Sequence, residues 1–382
     1  MLCNMKSSLL FMRYLMPLQQ KSTTRGCFLH LAGGGCVSNF IRPSSRTPSL
    51  FLLPTNHHQS ANRSHSSSSS AIASSFEAPV PPESHGHPVF PHIKFNRGDN
   101  ANSLNRNSDP NSVFVVSGAS RGIGLQFVSS LLERTQGKII ACCRSPATAD
   151  QLNKVAAQNT DRIEVLPLDL EDQSTIDALE LQLTKKYQRI DALFNVAGIL
   201  GDGGISTPGP ERSLASIERD WLEKSFAVNI VGPTMLVKAL SPLMRTKGRR
   251  KIKIDDDDDG KQLVVIPPTD RAPSVIVNLS ARVGSISDNQ LGGWYTYRST
   301  KSALNQMTRT MAHELKRQGS YVIALHPGTT KTDLSKPFQK NVQDGRLFPV
   351  EFTAEKLLDV VDSLVEENNG GFYDWAGKAL PF

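Results

Sequence analysis

The chain has 382 residues, 38% of them hydrophobic, and a formal net charge of +7. No uninterrupted apolar stretch approaches the ~20 residues of a membrane helix, so the sequence predicts no integral membrane segment. Residues 1–76 hold seven Lys and Arg and no Asp or Glu, while from Glu77 onward 36 basic residues face 36 acidic ones. The body is neutral, so the overall basicity does not point to nucleic acid.

The front end is a segment of its own. Residues 1–76 carry 16 Ser and four Thr, including the run Ser66–Ser70. Acid-free, Arg-bearing, Ser-rich sequence has the composition of an organelle transit peptide. Arg13 breaks the apolar stretch Leu9–Leu18, which argues against a secretory signal. The serine load favours a chloroplast address, with the mitochondrion as alternative. Residues 77–110, rich in Pro, Asn and His and without periodicity, read as a disordered linker.

From residue 111 to 382 the pattern is that of one folded domain. Short apolar runs predict strands at Val113–Val116, Ile139–Cys143, Ile163–Leu166, Ala192–Val196, Val275–Leu279 and Tyr321–Leu325. Amphipathic stretches predict helices at 123–134, 147–158, 173–187, 217–227, 231–246, 297–318 and 354–367. Continuous apolar strands alternating with helices imply a doubly wound α/β domain, its parallel sheet covered on both faces. Ligands then bind at the carboxyl ends of the strands. Residues 247–272, with five consecutive aspartates at Asp255–Asp259, interrupt this alternation as a solvated surface insertion. The Asp run lacks the spaced ligands and turn glycine of a calcium loop.

Cysteine and histidine use predicts no metal. Cys142 and Cys143 are strand neighbours pointing to opposite faces, which excludes an ordinary disulfide between them and suits a reducing compartment. Seven of the nine histidines precede residue 93.

Directly after the first strand comes Ser117-Gly118-Ala119-Ser120-Arg121-Gly122-Ile123-Gly124. Glycines allow a sharp turn and a close backbone approach to a pyrophosphate, and the following helix offers its positive N-terminus. Strand before and helix after are the context that a dinucleotide loop of the Rossmann fold requires. Where such folds place an Asp or Glu for the adenosine 2′-hydroxyl, this chain has Arg144, 20 residues beyond Gly124. A guanidinium there donates charge-assisted hydrogen bonds to a 2′-phosphate, so NADP(H) is the expected cofactor, and Arg121 flanks the same group.

Tyr297 and Lys301 are four residues apart, which on a helix places them on one face. A cation ~4 Å away at an effective dielectric of ~20 is worth roughly 4 kcal/mol, enough to bring a phenol toward neutral pH. The pair is therefore expected to hold an acidified tyrosine.

These elements, in this order, resemble the short-chain dehydrogenase/reductase family over nearly all of residues 111–382. The matching pieces are the Gly118–Gly124 loop, Asp169, Asn195–Gly198, Asn229, Tyr297 with Lys301, and the stretch containing Pro327, Gly328 and Thr332. The segments around Gly284–Asn305 and Asn229–Met244 are most similar to the C-factor/sniffer-type carbonyl reductase branch. The resemblance implies Tyr297 as acid/base, Lys301 as its positioning partner, and Asn229 holding a water in a proton relay. It also implies that Asp169 contacts adenine, that Asn195, Ala197 and Gly198 border the cofactor, and that Thr332 reaches the pyrophosphate. Relatives occur as monomers, dimers and tetramers, so a homo-oligomer is compatible with it.

One position departs from the pattern. The serine expected three residues before Gly284 is Ala281, leaving Ser280 as first and Ser285 as second candidate to hydrogen-bond the substrate oxygen. The sequence thus points to a hydride-transferring reductase of small carbonyl compounds, walled by Gly201–Pro210, Gly292–Trp294 and Leu334–Leu347. The alternative is an NADP(H)-binding regulatory or interaction protein with little turnover, motivated by Ala281 and the acidic insertion.

Overall fold

The computed structural model describes residues 89–256, 260–266 and 271–382. The expected leader, and the first part of the expected linker, lie outside them. In chain order the helices are α1 (Ala101–Ser108), α2 (Gly122–Arg134), α3 (Asp150–Ala157), α4 (Gln173–Lys186), α5 (Arg219–Phe226), α6 (Gly232–Met244), α7 (Tyr295–Leu315) and α8 (Val350–Asp362). The strands are β1 (Val113–Ser117), β2 (Lys138–Cys143), β3 (Ile163–Pro167), β4 (Ala192–Asn195), β5 (Arg250–Asp256), β6 (Gly260–Ile266), β7 (Ser274–Leu279), β8 (Ser320–His326), β9 (Thr329–Thr330), β10 (Leu347–Phe348) and β11 (Phe372–Asp374).

Seven strands form one parallel sheet in the order β11-β8-β7-β4-β1-β2-β3. The order reverses between β1 and β4, and an open sheet of this kind places its ligand crevice at that switch point. Period-two alternation divides the apolar residues between two cores. Phe114 and Val116 face one core with Phe127, Phe194 and Leu357. Val113 and Val115 face the other with Leu183, Leu236 and Leu240. Cys143 and Cys142 fall in the first and second core respectively, as strand neighbours must.

Two expectations need correction, and a third gains detail. Residues 89–110 are folded, not a linker. Phe90 and Ile93 are buried in the first core, and Asn100 caps α1 by accepting from the Asn102 amide. The Arg106 guanidinium, buried in the domain, pairs with Asp362 of α8 at 3.3 Å, and Asn107 donates to the same carboxylate at 2.9 Å. An Asn- and Ser-rich helix with so little apolar surface is held by these tertiary contacts rather than by its own propensity.

The insertion at 247–272 contains an antiparallel two-stranded ribbon, β5 with β6, in a sheet of its own. It stands at the amino end of β7, away from the crevice. The two helices expected at 217–227 and 231–246 are one run, Arg219–Met244, in which Ala227–Val231 is a π-helical turn. By length and composition this run could cross a bilayer, but Leu236, Val237, Leu240 and Leu243 are buried in the second core, which marks a core helix.

Candidate active site

The loop between β1 and α2 is shaped by its glycines. Gly118 and Gly122 have φ of +71° and +55°. A β-carbon on Gly118 would fall 2.9 Å from the Ala197 backbone, and one on Gly124 would fall 2.2 Å from the Gly118 carbonyl oxygen. Only glycine lets the loop, the α2 N-terminus and the Asn195–Gly198 segment crowd together. Gly122 faces the Thr332 side chain, 3.3 Å from a β-carbon placed there. The loop after β8 therefore closes on the glycine turn from the other side. The first turn of α2 has no side-chain cap, since Arg121 at its N-cap makes no cap hydrogen bond.

Arg144 is exposed just beyond the end of β2. Arg121 is also exposed and pairs loosely with Asp333 at 3.8 Å, both side chains more than two-thirds open to solvent. Such a pair is worth about 0–1 kcal/mol and exchanges readily for another anion. Asp169 follows β3, its carboxylate accepting from the Glu171 amide at 3.0 Å. Asn195 donates to Asn278 at 2.8 Å, while its buried Oδ1 has no partner.

Tyr297 and Lys301 occupy the first two turns of α7. The Lys301 ammonium lies 5.6 Å from the centre of the Tyr297 ring and donates to the Leu279 carbonyl at 2.8 Å. Burial lowers its pKa to about 8. The expected acidification of Tyr297 is absent, because burial pushes the phenol up instead. The cation faces the ring, is tied to a carbonyl and shares the desolvated site, so it cannot offset that cost. A protonated phenol is the form that can donate a proton.

Gly198 joins the pair to Asn229. A β-carbon there would lie 3.2 Å from Asn229 Oδ1 and 3.6 Å from Lys301 Nζ. Asn229 sits in the π-helical turn and is buried. Its amide accepts from the Ile199 N–H and donates to the Ile199 carbonyl, each at 2.8 Å, and also donates to Thr300 Oγ1 at 3.2 Å. The Asn229 side chain is therefore committed to protein groups.

Residues 112–252 and 263–343 match the short chain dehydrogenase family. The chain belongs to this family. Among curated relatives, this short-chain dehydrogenase is 28% identical over 270 residues to 1-hydroxy-2-glutathionyl-2-methyl-3-butene dehydrogenase of Rhodococcus sp., an alignment covering 70% of this chain and 99% of the relative. It is 27% identical to the C-signal protein of Myxococcus xanthus over 193 residues, half of this chain and 93% of the other. Among solved structures, it resembles the carbonyl reductase Sniffer of D. melanogaster with a TM-score of 0.58 and 27% identity, covering 72% of this chain and all of that one. The NADPH-bound carbonyl reductase from chicken fatty liver is similar at a TM-score of 0.57 and 25% identity, over 71% and 99% of the two chains.

In this short-chain dehydrogenase the first candidate serine is not a free donor at the reacting centre. Ser280 is buried and donates to Asn305 Oδ1 at 2.7 Å, on the turn of α7 beyond Lys301. Its role as donor to the substrate oxygen is corrected: it ties the end of β7 to α7. Ser285 accepts from the Asp288 amide at 3.1 Å and thereby shapes its own turn.

The structure also brings in residues that no motif singles out. Glu211 is buried beneath the start of α7. Its carboxylate accepts from the Thr296 amide at 3.1 Å and from the Thr296 hydroxyl, and its main-chain carbonyl accepts from the Trp294 amide at 2.5 Å. A carboxylate at a helix N-terminus satisfies orphan N–H groups and favours the dipole. Glu211 lies in an irregular loop 86 residues before Tyr297, with no motif around it, so only the folded chain shows it.

Proposed function

We propose that this chain is an NADPH-dependent carbonyl reductase. The observation that carries the reading is the convergence of Tyr297, Lys301, Gly198 and Asn229 at the carboxyl end of the sheet, beside a glycine cradle that any β-carbon would fill. That cradle fits a dinucleotide: Gly118, Ser120, Arg121, Gly122, Ile123 and Gly124 would hold the pyrophosphate against α2, with Thr332 opposite. Asn195, Ala197, Gly198, Pro327 and Gly328 would border the nicotinamide half, and Asp169 the adenine. Arg144, exposed and without an ion-pair partner among the described residues, would meet a 2′-phosphate in this reading. Likeness to carbonyl reductases supports the choice of NADP(H) and of a carbonyl substrate.

When bound in this cradle, NADPH would supply the hydride for the carbonyl carbon. Tyr297 gives its phenolic proton to the carbonyl oxygen, which becomes the alcohol, and the Lys301 ammonium steadies the phenolate left behind. Proton transfer of this kind contributes typically ~10²–10⁴ in rate. With Ala281 in place of a serine, the oxygen lacks one donor, a loss on the order of 10²–10³ that the remaining groups must offset.

Ala281 favours a second reading, an NADP(H)-binding regulatory protein with little turnover. NADPH oxidation by the full chain with aldehydes, ketones and quinones, against Tyr297→Phe, separates the two. Turnover that collapses in the variant supports the reductase; saturable NADPH binding with no turnover of any carbonyl supports regulation. The leader at 1–76 is proposed to carry the chain into a chloroplast, and a fluorescent protein fused behind residue 76 that stays in the cytosol would overturn that address.

A further inference from the structure

We infer that Trp294 and Phe338 form an aromatic wall beside Tyr297 that selects a planar aromatic carbonyl compound as substrate. The inference rests on the reductase reading and deepens it.

Trp294 is the residue immediately before α7, with φ 54° and ψ 41°. A bulky side chain rarely adopts this left-handed backbone, and it persists only where surrounding contacts over-determine it. They do so here. The Trp294 amide is held by the Glu211 carbonyl, and the Glu211 carboxylate grips Thr296. Arg298 donates to the Gly293 carbonyl at 2.9 Å, the Gly292 carbonyl at 3.2 Å and the Val283 carbonyl at 3.2 Å, which latches the loop ahead of the helix.

The outcome is a fixed indole. Its ring stands edge-on to Tyr297, centroids 6.2 Å apart and planes at 69°, and 5.3 Å from Phe338 on the loop after β9. Both wall residues are only half-buried, so apolar ring surface remains in contact with water. The loops after β4 and β7 also expose apolar side chains: Ile205 is 82% exposed, Ile286 76% and Leu291 92%. Of the charged groups beside the wall, Glu211 and Arg298 are committed to backbone or Thr296, while Lys336 and Lys340 are exposed on the turn that carries Phe338. A flat aromatic group would cover the exposed ring faces, while a short alkyl chain would leave them wet.

The test compares kcat/KM of the full chain with NADPH on 2-naphthaldehyde and on hexanal, in wild type, Trp294→Ala and Phe338→Leu. Each variant is expected to lose at least tenfold more on the aromatic aldehyde than on the aliphatic one. Equal losses on both would mean that the rings only position Tyr297, and would overturn the wall while leaving the reductase reading intact. A binding measurement does not depend on turnover: 2-naphthaldehyde should quench tryptophan fluorescence saturably in wild type and much less in Trp294→Phe. Absence of saturable quenching overturns the wall. Quenching without reduction of either aldehyde would keep the wall as a binding surface and sink the reductase reading alone. Thermal melts of the variants show whether each has folded.

Discussion

The Asn229 amide pairs with both backbone groups of Ile199, taking its N–H and giving to its carbonyl, each at 2.8 Å. One side chain thus fixes the loop after β4 to the helix that crosses the crevice. Asn229→Leu should leave both Ile199 groups unpaired, at roughly 1–3 kcal/mol each. Chemical denaturation and turnover are expected to fall together. A variant as stable and as active as wild type would show that the loop holds itself in place.

Tyr297→Phe keeps the ring, its edge contact with Trp294 and the cation above it, and removes only the hydroxyl. Turnover is expected to drop by about 10²-fold or more, with NADPH affinity nearly unchanged. A drop of less than threefold would locate the proton donor elsewhere.

Lys301 gives the protein a defined pH response. Its folded pKa, lowered by burial to about 8, lies below that of the unfolded chain. Between about pH 8 and 10 the unfolded state therefore binds more protons, and stability rises with pH through that window. The gain is on the order of 3 kcal/mol and should be missing from Lys301→Met. Carbonyl reduction should run the other way, falling as the ammonium titrates above about pH 8. Parallel stability curves for wild type and Lys301→Met would contradict the assignment.

Arg144 sets cofactor choice in this reading. Arg144→Ala should weaken NADPH binding by about 10- to 100-fold, the scale of lost hydrogen bonds to a charged group, and leave NADH binding little changed. Titration with both cofactors gives the ratio, and an unaltered ratio would remove the basis for NADP(H).

The sheet was readable because its strands are near-continuous apolar runs, such as Val113–Val116, between helices of the right length. The cofactor loop was readable because spaced glycines leave a trace in one line of text. Local patterning misses whatever is stabilised from a distance. Helix α1 depends on Asp362, more than 250 positions away. The start of α7 depends on Glu211, and although Gly292–Trp294 is expected as a wall of the site, its residues give no sign that Trp294 is held in a left-handed backbone. Ser280 neighbours the expected position, but just past the end of β7 its hydroxyl donates to Asn305. The Tyr297–Lys301 spacing fixed the pairing correctly and the electrostatics incorrectly, because spacing carries no information about desolvation.

The packing of Phe90 and Ile93 under the last strand also limits where the chain could be trimmed. The Phe90 ring lies 6.4 Å from Tyr373 and 6.1 Å from Phe382, and the Ile93 amide is bonded to Gly377. A peptidase that trims the front of this polypeptide has to cut upstream of Phe90. A cut further along would strip a layer from the finished domain and lay bare the underside of its carboxyl-terminal strand.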